Sequence, residues 1–508
     1  MSTSESKLSF TLKRFLKFLG AFRRSKRGML GVGILVFFAF FALVAPLLTT
    51  YDPVYDEYIS GDYAVPIWFK YVHVGHHYSE NFDLLANPGF PTPESLEDEW
   101  KFTAASADAQ VSLRYSKVRG HFDPGCAAVT LSCDAGSDST QVKVSLEKEF
   151  HYPFNSPPKR FACEVALFAE NIEDLEAVDV RLFIIRIENE SYSERYPLWV
   201  EKLYETSSQW KSLVLSSYAS KAWVEQYFGG VGNPANIVFS KPVNYTYDIE
   251  ILFDYESLAK DIEGTVYIDD VNIEFLGSTF GLLGTDQRGR DIFTQLVHGA
   301  RISLFVGLLS AVLSVGIGLM LGLVSGYLGR VVDEVVMRLT DMLLVLPSLP
   351  LLLVLIAVLS TYGTPLTWNI IILIGFLGWM GFARSVRSQV LSLRERPFVE
   401  AARAVGAGKF HIILRHILPN VMSLVYVSLA MSVPSAILAE AALSWLGLYD
   451  PSVMSWGRML HDAQFEQGVE KWWWIVPPGL CIAAISISFI LLGYALDEIL
   501  NPKLRTRR

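Results

Sequence analysis

Two kinds of hydrophobic pattern divide the chain. Met29 to Thr49 carries no charged side chain, and a helix of about 20 such residues crosses the hydrocarbon core of a bilayer. Five more uncharged runs follow, at Ile302–Gly329, Met342–Ser360, Trp368–Ala383, Val421–Ala439 and Trp472–Leu496, the last interrupted only by Pro477 and Pro478. Buried helices of a large soluble protein are the alternative reading, but five such runs crowd into the C-terminal part of the chain. Six spans are therefore predicted. The first run and the basic tail before it are longer than those of a cleaved signal peptide, so it is read as a retained span at 29–50, after a tail at 1–28.

Between the first two spans the pattern changes. Tyr247, Ile249, Ile251, Phe253 and Tyr255 alternate with Asp248, Glu250 and Asp254, the period of two expected of a half-buried strand. Val178, Val180, Leu182 and Ile184 repeat it, and "GTVYIDDVNIEFLG" ends with Val271, Ile273 and Phe275 on one face. Turn clusters such as "NSPP" and "GGVGNP" separate roughly nine strands, which predicts an all-β sandwich inserted over 53–278; the resemblance of "YIDDV" to a jelly-roll closing strand implies a jelly-roll-like one. The rest, 279–508, is the membrane core.

Charge sharpens this division. The net charge of −9 conceals an acidic insertion and a basic remainder. Lys and Arg gather in the N-terminal tail (Lys7, Lys13, Arg14, Arg23, Arg24), around Arg330 and Arg338, between Arg384 and Arg415, and at the C-terminus (Lys503, Arg505). Such flanks face the cytoplasm. Both termini are expected inside a cell membrane and the acidic block outside. Basic residues spread over four separate tips do not indicate nucleic-acid binding.

Few residues suggest chemistry in the insertion. Cys126 and Cys133 are candidates for a disulfide in an extracytoplasmic domain. Asp269 and Asp270 are weak calcium candidates, because "YIDDV" resembles the closing strand of jelly-roll carbohydrate-binding modules; a solvated strand face is the simpler reading. Trp199, Trp210 and Trp223 are read as packing residues before sugar platforms. Asn189 and Asn244 start N-x-S/T sequences, acceptors only in a host that glycosylates its surface. No His/Cys spacing suggests a metal.

"GAGK" at Gly406–Lys409 is not a phosphate loop, since Phe410 stands where Ser or Thr is needed and no strand precedes it. No nucleophile elbow or acid pair indicates catalysis. The loop at 395–419 reads instead as mechanics. Pro397 suits a first helical turn and Glu400 complements its positive end. Gly406 and Gly408 break the run, and a second helix from Lys409 to Leu418 is expected to end at Pro419. This makes a short helix, small on one face and basic on the other.

"EAA" at Glu400, Ala401 and Ala402, followed by Gly406, Leu418 and Pro419, resembles the EAA loop of ABC-transporter permeases; His416 replaces an isoleucine usual there. "APLLTTYDP", "LGTDQRGRDIF", "HGARISLFVGL", "EAALSWLGL", "SWGRML" and "LNPKLR" are similar to the C-type permease of dipeptide/oligopeptide importers. The resemblance covers about 1–55 and 279–508, not the sandwich. It implies the six-helix type I importer permease fold and peptide import without an ATPase site in this chain. The implied partners are a homologous second permease, two ATP-binding cassette subunits holding ATP and magnesium, and an external solute-binding protein. An oligosaccharide substrate is the alternative within the class, and a membrane-anchored glycan-binding protein a distant one.

Two further readings concern the spans. Ser310, Ser314, Gly318, Gly322 and Gly326 recur every fourth residue, a small face for close packing in lipid. Glu440, costly in lipid, is expected to face protein or water, and with Pro434 it is a candidate for the translocation path.

Overall fold

The computed structural model describes residues 20–500 apart from 21, 73–75, 85–88, 106–108, 122–124, 135–140, 190–191, 217–224, 226–232 and 257–260. Trp223 and the basic residues of the extreme termini lie outside the described residues. The chain forms two units, Met1–Glu57 with Arg290–Arg508, and Tyr58–Gly289.

The first unit is helical. Its elements are α1 (Lys26–Leu48), α2 (Ile292–Leu328), α3 (Arg330–Val345), α4 (Ser348–Ser360), α5 (Leu366–Gly378), α6 (Met380–Arg394), α7 (Pro397–Ala404), α8 (Lys409–Ile412), α9 (Leu418–Trp445), α10 (Trp456–Phe465) and α11 (Trp472–Leu500). Side chains satisfy the free amides at helix starts: Gly28 N–H donates to Ser25 Oγ at 3.2 Å, and Thr294 N–H donates to the Asp291 carboxylate at 2.9 Å.

Among the described residues five helical segments are long and apolar enough to cross a membrane, and a sixth arises if α3 and α4 count as one span bent by 93°. The run at Met342–Ser360 is thus not the straight span its hydropathy suggests. Pro347 lacks an amide and pushes Leu346 into extended backbone (φ −72°, ψ 133°), so the helix breaks there. The small face of α2 is used as expected. A Cβ on Gly322 would fall 2.6 Å from Val386 Cβ, and one on Gly326 would fall 2.8 Å from Val390 Cβ, both on α6. Higher on α2, Ser310 Oγ donates to Ile371 O at 3.3 Å.

The second unit is a two-sheet sandwich of β1 (Phe82–Asp83), β2 (Lys101–Ala105), β3 (Ala109–Ser116), β4 (Cys126–Cys133), β5 (Gln141–His151), β6 (Arg160–Glu170), β7 (Ala177–Asn189), β8 (Tyr192–Leu203), β9 (Lys211–Ser216), β10 (Asn244–Asp254) and β11 (Ile262–Leu276). One sheet runs β3-β4-β11-β6-β9 with β1 beside β11, and the other runs β2-β5-β10-β7-β8. Eleven described strands replace the nine or so anticipated, the shortest being too brief to show a period. Tyr247, Ile249, Ile251 and Phe253 of β10 are fully buried between the sheets, facing Val178, Val180 and Ile184 of β7 along the same layer. In β11 the buried set changes parity, from Val266 and Ile268 to Val271, Ile273 and Phe275. A bulge between Asp269 and Asn272, with Asp270 at φ +47°, makes the switch.

The disulfide expectation is corrected. Cys126 and Cys133 are the two ends of β4, both free and buried. An eight-residue strand separates its ends by about 23 Å, whereas bridged cysteines have Cα atoms within about 7 Å. Burial raises the Cys126 thiol pKa to about 12, which keeps it protonated and unreactive.

Asp269 is held by the structure. Its Oδ2 accepts His121 N–H at 2.8 Å, and its Oδ1 accepts the amide of Asp270 at 3.0 Å. Burial raises its pKa. Asp270 Oδ2 lies 2.6 Å from His121 Nδ1. Among the described residues no group of three His, Cys, Asp or Glu is set to hold a metal. Trp199 packs on the core, and Trp210 packs against Phe168 and His121 at 5.8 and 5.6 Å.

Candidate translocation chamber and coupling loop

Between α2, α4, α5, α6 and α9 lies a cavity of about 490 Å³. Its wall on α9 consists of Ser428, Met431, Ser432, Ser435, Ala436 and Ala439; Ser310 and Ser314 of α2, Ser348 of α4 and Ser385 of α6 complete a hydroxyl lining. Leu352, Ile374, Leu377 and Phe382 supply apolar wall between them. The described lining carries no charged side chain. Such a chamber offers hydrogen bonds without fixing the charge of what passes.

Sequence reading missed the α9 serines. The signal was present, since Ser428, Ser432 and Ser435 are spaced to share one helix face, with Ala439 on the same stripe. The sequence candidates Glu440 and Pro434 lie elsewhere on the helix. Neither lines the chamber: at 100° per residue they lie about 110° and 130° round the helix from that stripe. Glu440 is 3% exposed, and its Oε1 accepts Ser444 Oγ at 2.8 Å and Ser455 Oγ at 2.7 Å.

That contact joins two of the conspicuous sequence motifs. Ser455 opens α10, its Oγ also accepting Arg458 N–H at 3.2 Å. Trp456 is fully buried, donating from its amide to Ser303 Oγ (3.2 Å) and from Nε1 to Leu296 O (3.0 Å) on α2. At Gly457 a Cβ would meet Ala441 Cα at 2.7 Å, so only glycine allows α9 and α10 to touch there. Arg290, 2% exposed, reaches Asp462 of α10 at 3.4 Å. Glu440 therefore clamps α10 onto α9, and its role is structural in this conformation.

The loop at 395–419 forms as α7, a tight turn, then α8. Pro397 opens α7 and Glu400 lies in its first turn, as the helix dipole favours. Gly406 makes the turn at φ +85°, a conformation that favours glycine. Ala407 N–H donates to Ala402 O at 3.0 Å and Gly406 N–H donates to Arg403 O at 3.0 Å, which closes the C-terminus of α7.

Two expectations need correction. The second helix does not end at Pro419: a π-turn at Ile413–Ile417 carries α8 directly into α9, and Pro419 sits in the first turn of α9, where its missing amide costs little. The faces of α7 also differ from the expected small-versus-basic division. Val399 is buried and Ala402 turns inward against the core of α2, α6 and α9. Outward stand Ala401 and Glu400, together with Phe398 (42% exposed) and Val405 (89%), and Phe410 (75%) follows on α8. Arg403 and Lys409 are exposed beside them. This tip is an apolar patch ringed with cations, the form of a protein-docking surface.

Comparison with known proteins fits this arrangement. Residues 318–506 match the family model of the binding-protein-dependent transport system inner membrane component, and residues 14–66 match the N-terminal TM domain of oligopeptide transport permease C. The dipeptide transport system permease protein DppC of Bacillus subtilis is 41% identical over 223 residues, 44% of this chain and 68% of that protein. The oligopeptide transport system permease protein OppC of Haemophilus influenzae is 40% identical over 226 residues, 44% of this chain and 71% of that protein. A solved inward-facing MetNI methionine ABC transporter is more distant, with 20% identity and a TM-score of 0.34 over 41% of this chain and 94% of that one. The family 22 carbohydrate-binding module of Clostridium thermocellum Xyn10B has 16% identity and a TM-score of 0.22 over 38% of this chain and 95% of that one; likenesses so weak carry no functional argument. On its helices, its matched segments and its identity to these relatives, the chain is a multi-pass membrane protein of the binding-protein-dependent transport system inner membrane component family, among the dipeptide and oligopeptide permease subunits.

Proposed function

We propose that this chain is the translocation subunit of an ATP-driven importer that carries di- or oligopeptides inward. The observation that carries the reading is the uncharged, hydroxyl-lined chamber among the spans. Ser428, Ser432 and Ser435 offer donors and acceptors to peptide backbone groups, which every peptide has, and the absence of charge in the described lining leaves side chains unselected. Relatives named as dipeptide and oligopeptide permeases favour peptides over the oligosaccharide alternative.

The assembly follows the same reading. Two ATP-binding cassette subunits, which would hold ATP and magnesium, dock at Phe398, Ala401, Val405 and Phe410. Glu400 orients α7 there, and Gly406 with the Leu418–Pro419 helix start transmits the motion into α9. A homologous second permease completes the chamber, and a solute-binding protein delivers substrate on the side of the sandwich, outside the cell membrane, with both termini in the cytoplasm.

Reconstitution with the partner subunits tests this. Vesicles should accumulate a labelled tripeptide on addition of ATP, and a labelled trisaccharide should not enter. Ser432→Phe should abolish uptake while the ATPases remain attached. Gly406→Val adds about 1 kcal/mol of local strain with no heavy atom within 4 Å of the new Cβ; it should keep the fold and lose coupled transport. Peptide uptake unaffected by Ser432→Phe would refute the chamber, and exclusive uptake of the trisaccharide would refute the substrate.

A further inference from the structure

A second cavity of the helical unit, about 670 Å³, lies between the C-terminal end of α1 and the start of the apolar stretch of α2. Pro46, Thr49, Tyr51 and Asp52 line one side, and His298, Arg301, Ile302 and Phe305 the other. Its level in the membrane follows from the sequence. The uncharged run of α1 ends at Thr49, and that of α2 begins at Ile302, directly after Arg301. The cavity therefore sits where both spans meet the membrane–water interface.

Its two charged side chains are not paired with each other. Arg301 is exposed, and among the described residues no carboxylate pairs with it. The carboxylate of the lining, Asp52, is committed to its own turn: Oδ1 accepts the amides of Val54 at 2.8 Å and Tyr55 at 2.9 Å. His298 Nε2 shares a hydrogen bond with Thr49 Oγ1 at 3.3 Å, which fixes the ring at the cavity wall.

The face below Arg301 identifies the occupant. His298, Arg301, Phe305, Leu308 and Val312 follow one another at three- and four-residue steps, so they form one stripe along α2. Phe305, Leu308 and Val312 are 43%, 48% and 47% exposed. Phe305 meets Trp368, itself 49% exposed, edge-on at 5.7 Å, an aromatic pair of the kind found at the interface. One stripe thus presents a cation at headgroup depth and bare apolar side chains below it. A dissolved peptide would use the first part and waste the second.

We infer that this cavity is a binding site for an anionic phospholipid, with the phosphodiester against Arg301 and His298 and an acyl chain along Phe305, Leu308 and Val312. The site belongs to the leaflet in which α1 ends and α2 begins. It rests on the membrane-spanning assignment and not on the peptide substrate, so its failure would leave peptide uptake by the reconstituted importer untouched.

Native mass spectrometry of the purified full chain tests it, with phosphatidylglycerol and phosphatidylcholine of matched acyl chains added in detergent. Wild type should retain phosphatidylglycerol about fivefold over phosphatidylcholine, the preference expected of one interfacial cation. Arg301→Gln should abolish the preference, and Arg301→Lys, which keeps the charge, should restore it. Equal retention of the two lipids by wild type, or an undiminished preference in Arg301→Gln, would overturn the site. So would loss of preference in both variants, which marks a general structural effect. Displacement of the bound lipid by inorganic phosphate, or by trialanine with a free but not an amidated C-terminus, would reassign the cavity to soluble anions and overturn the lipid reading.

Discussion

Glu250 in the sandwich and Glu440 in the membrane helices are equally buried, at 3% exposure each, yet they are satisfied in opposite ways. Glu250 lies on the outer face of the five-stranded sheet, where Lys143, Arg195 and Arg181 converge on it, and Arg195 also reaches Asp248 at 2.8 Å. Glu440 is met by the hydroxyls of Ser444 and Ser455, with no cation among its hydrogen-bond partners. The difference teaches what each setting permits. At a sheet face, long cationic side chains lie flat over the acid and keep their heads in water. Inside a helix bundle that faces lipid, a cation brought to Glu440 would itself need burial, whereas a serine brings a donor at little desolvation cost.

Breaking each acid's network should expose this contrast. The largest effect is expected of Glu440→Ala, which leaves the Ser444 and Ser455 hydroxyls without an acceptor and loosens the cap of α10, at about 3 kcal/mol. Thermal unfolding of the purified chain in detergent reads the loss, and a Tm unchanged within error would refute the clamp. Glu440→Gln, which keeps an acceptor oxygen, should recover most of it.

Arg195→Ala should cost less, about 1 kcal/mol, because Arg195 is 38% exposed and Glu250 keeps Lys143 and Arg181. Hydrogen exchange along β10 measures this. A loss as large as that of Glu440→Ala would show that the sheet network is no more redundant than the serine clamp.

The two acids also allow a pH test. Burial alone would raise the pKa of Glu250, but its hydrogen bonds to Lys143 and Arg195 outweigh that and hold it below the ordinary glutamate value. A depressed folded-state pKa gives stability that is fully present above the unfolded value, about 4.3, and is lost as pH falls through the folded one. Protection of β10 amides should therefore decline as pH drops below about 4, and Glu250→Gln should flatten the decline.

The smallest effect is expected from removing the sandwich. Tyr58 N–H donates to Arg288 O at 2.7 Å, so the chain enters and leaves that unit side by side. Replacing Tyr58–Gly289 by a short polar linker should leave the protease-resistant membrane fragments of the helical unit unchanged; their loss would show that the helices depend on the insertion.

Much of this molecule was legible in one dimension. Hydropathy determined the long apolar helices, because a bilayer demands length and apolarity, both properties of consecutive residues. Alternation determined the strands β7 and β10, since a half-buried strand repeats every two residues. Gly406 and Pro397 marked the turn and the helix start of the 395–419 loop through backbone restrictions that belong to single residues. Only tertiary structure decided the rest. The ends of β4 keep Cys126 and Cys133 apart, although seven positions of sequence invited a bridge. The bend at Leu346–Pro347 divides what hydropathy presents as one span. Glu440 turns away from the chamber to meet Ser455, fifteen residues on, while Ser310, Ser348, Ser385 and Ser432 converge from four helices to line it. Period and composition report which face of an element is apolar; which faces meet is settled by the packing of whole helices, and no local pattern encodes it.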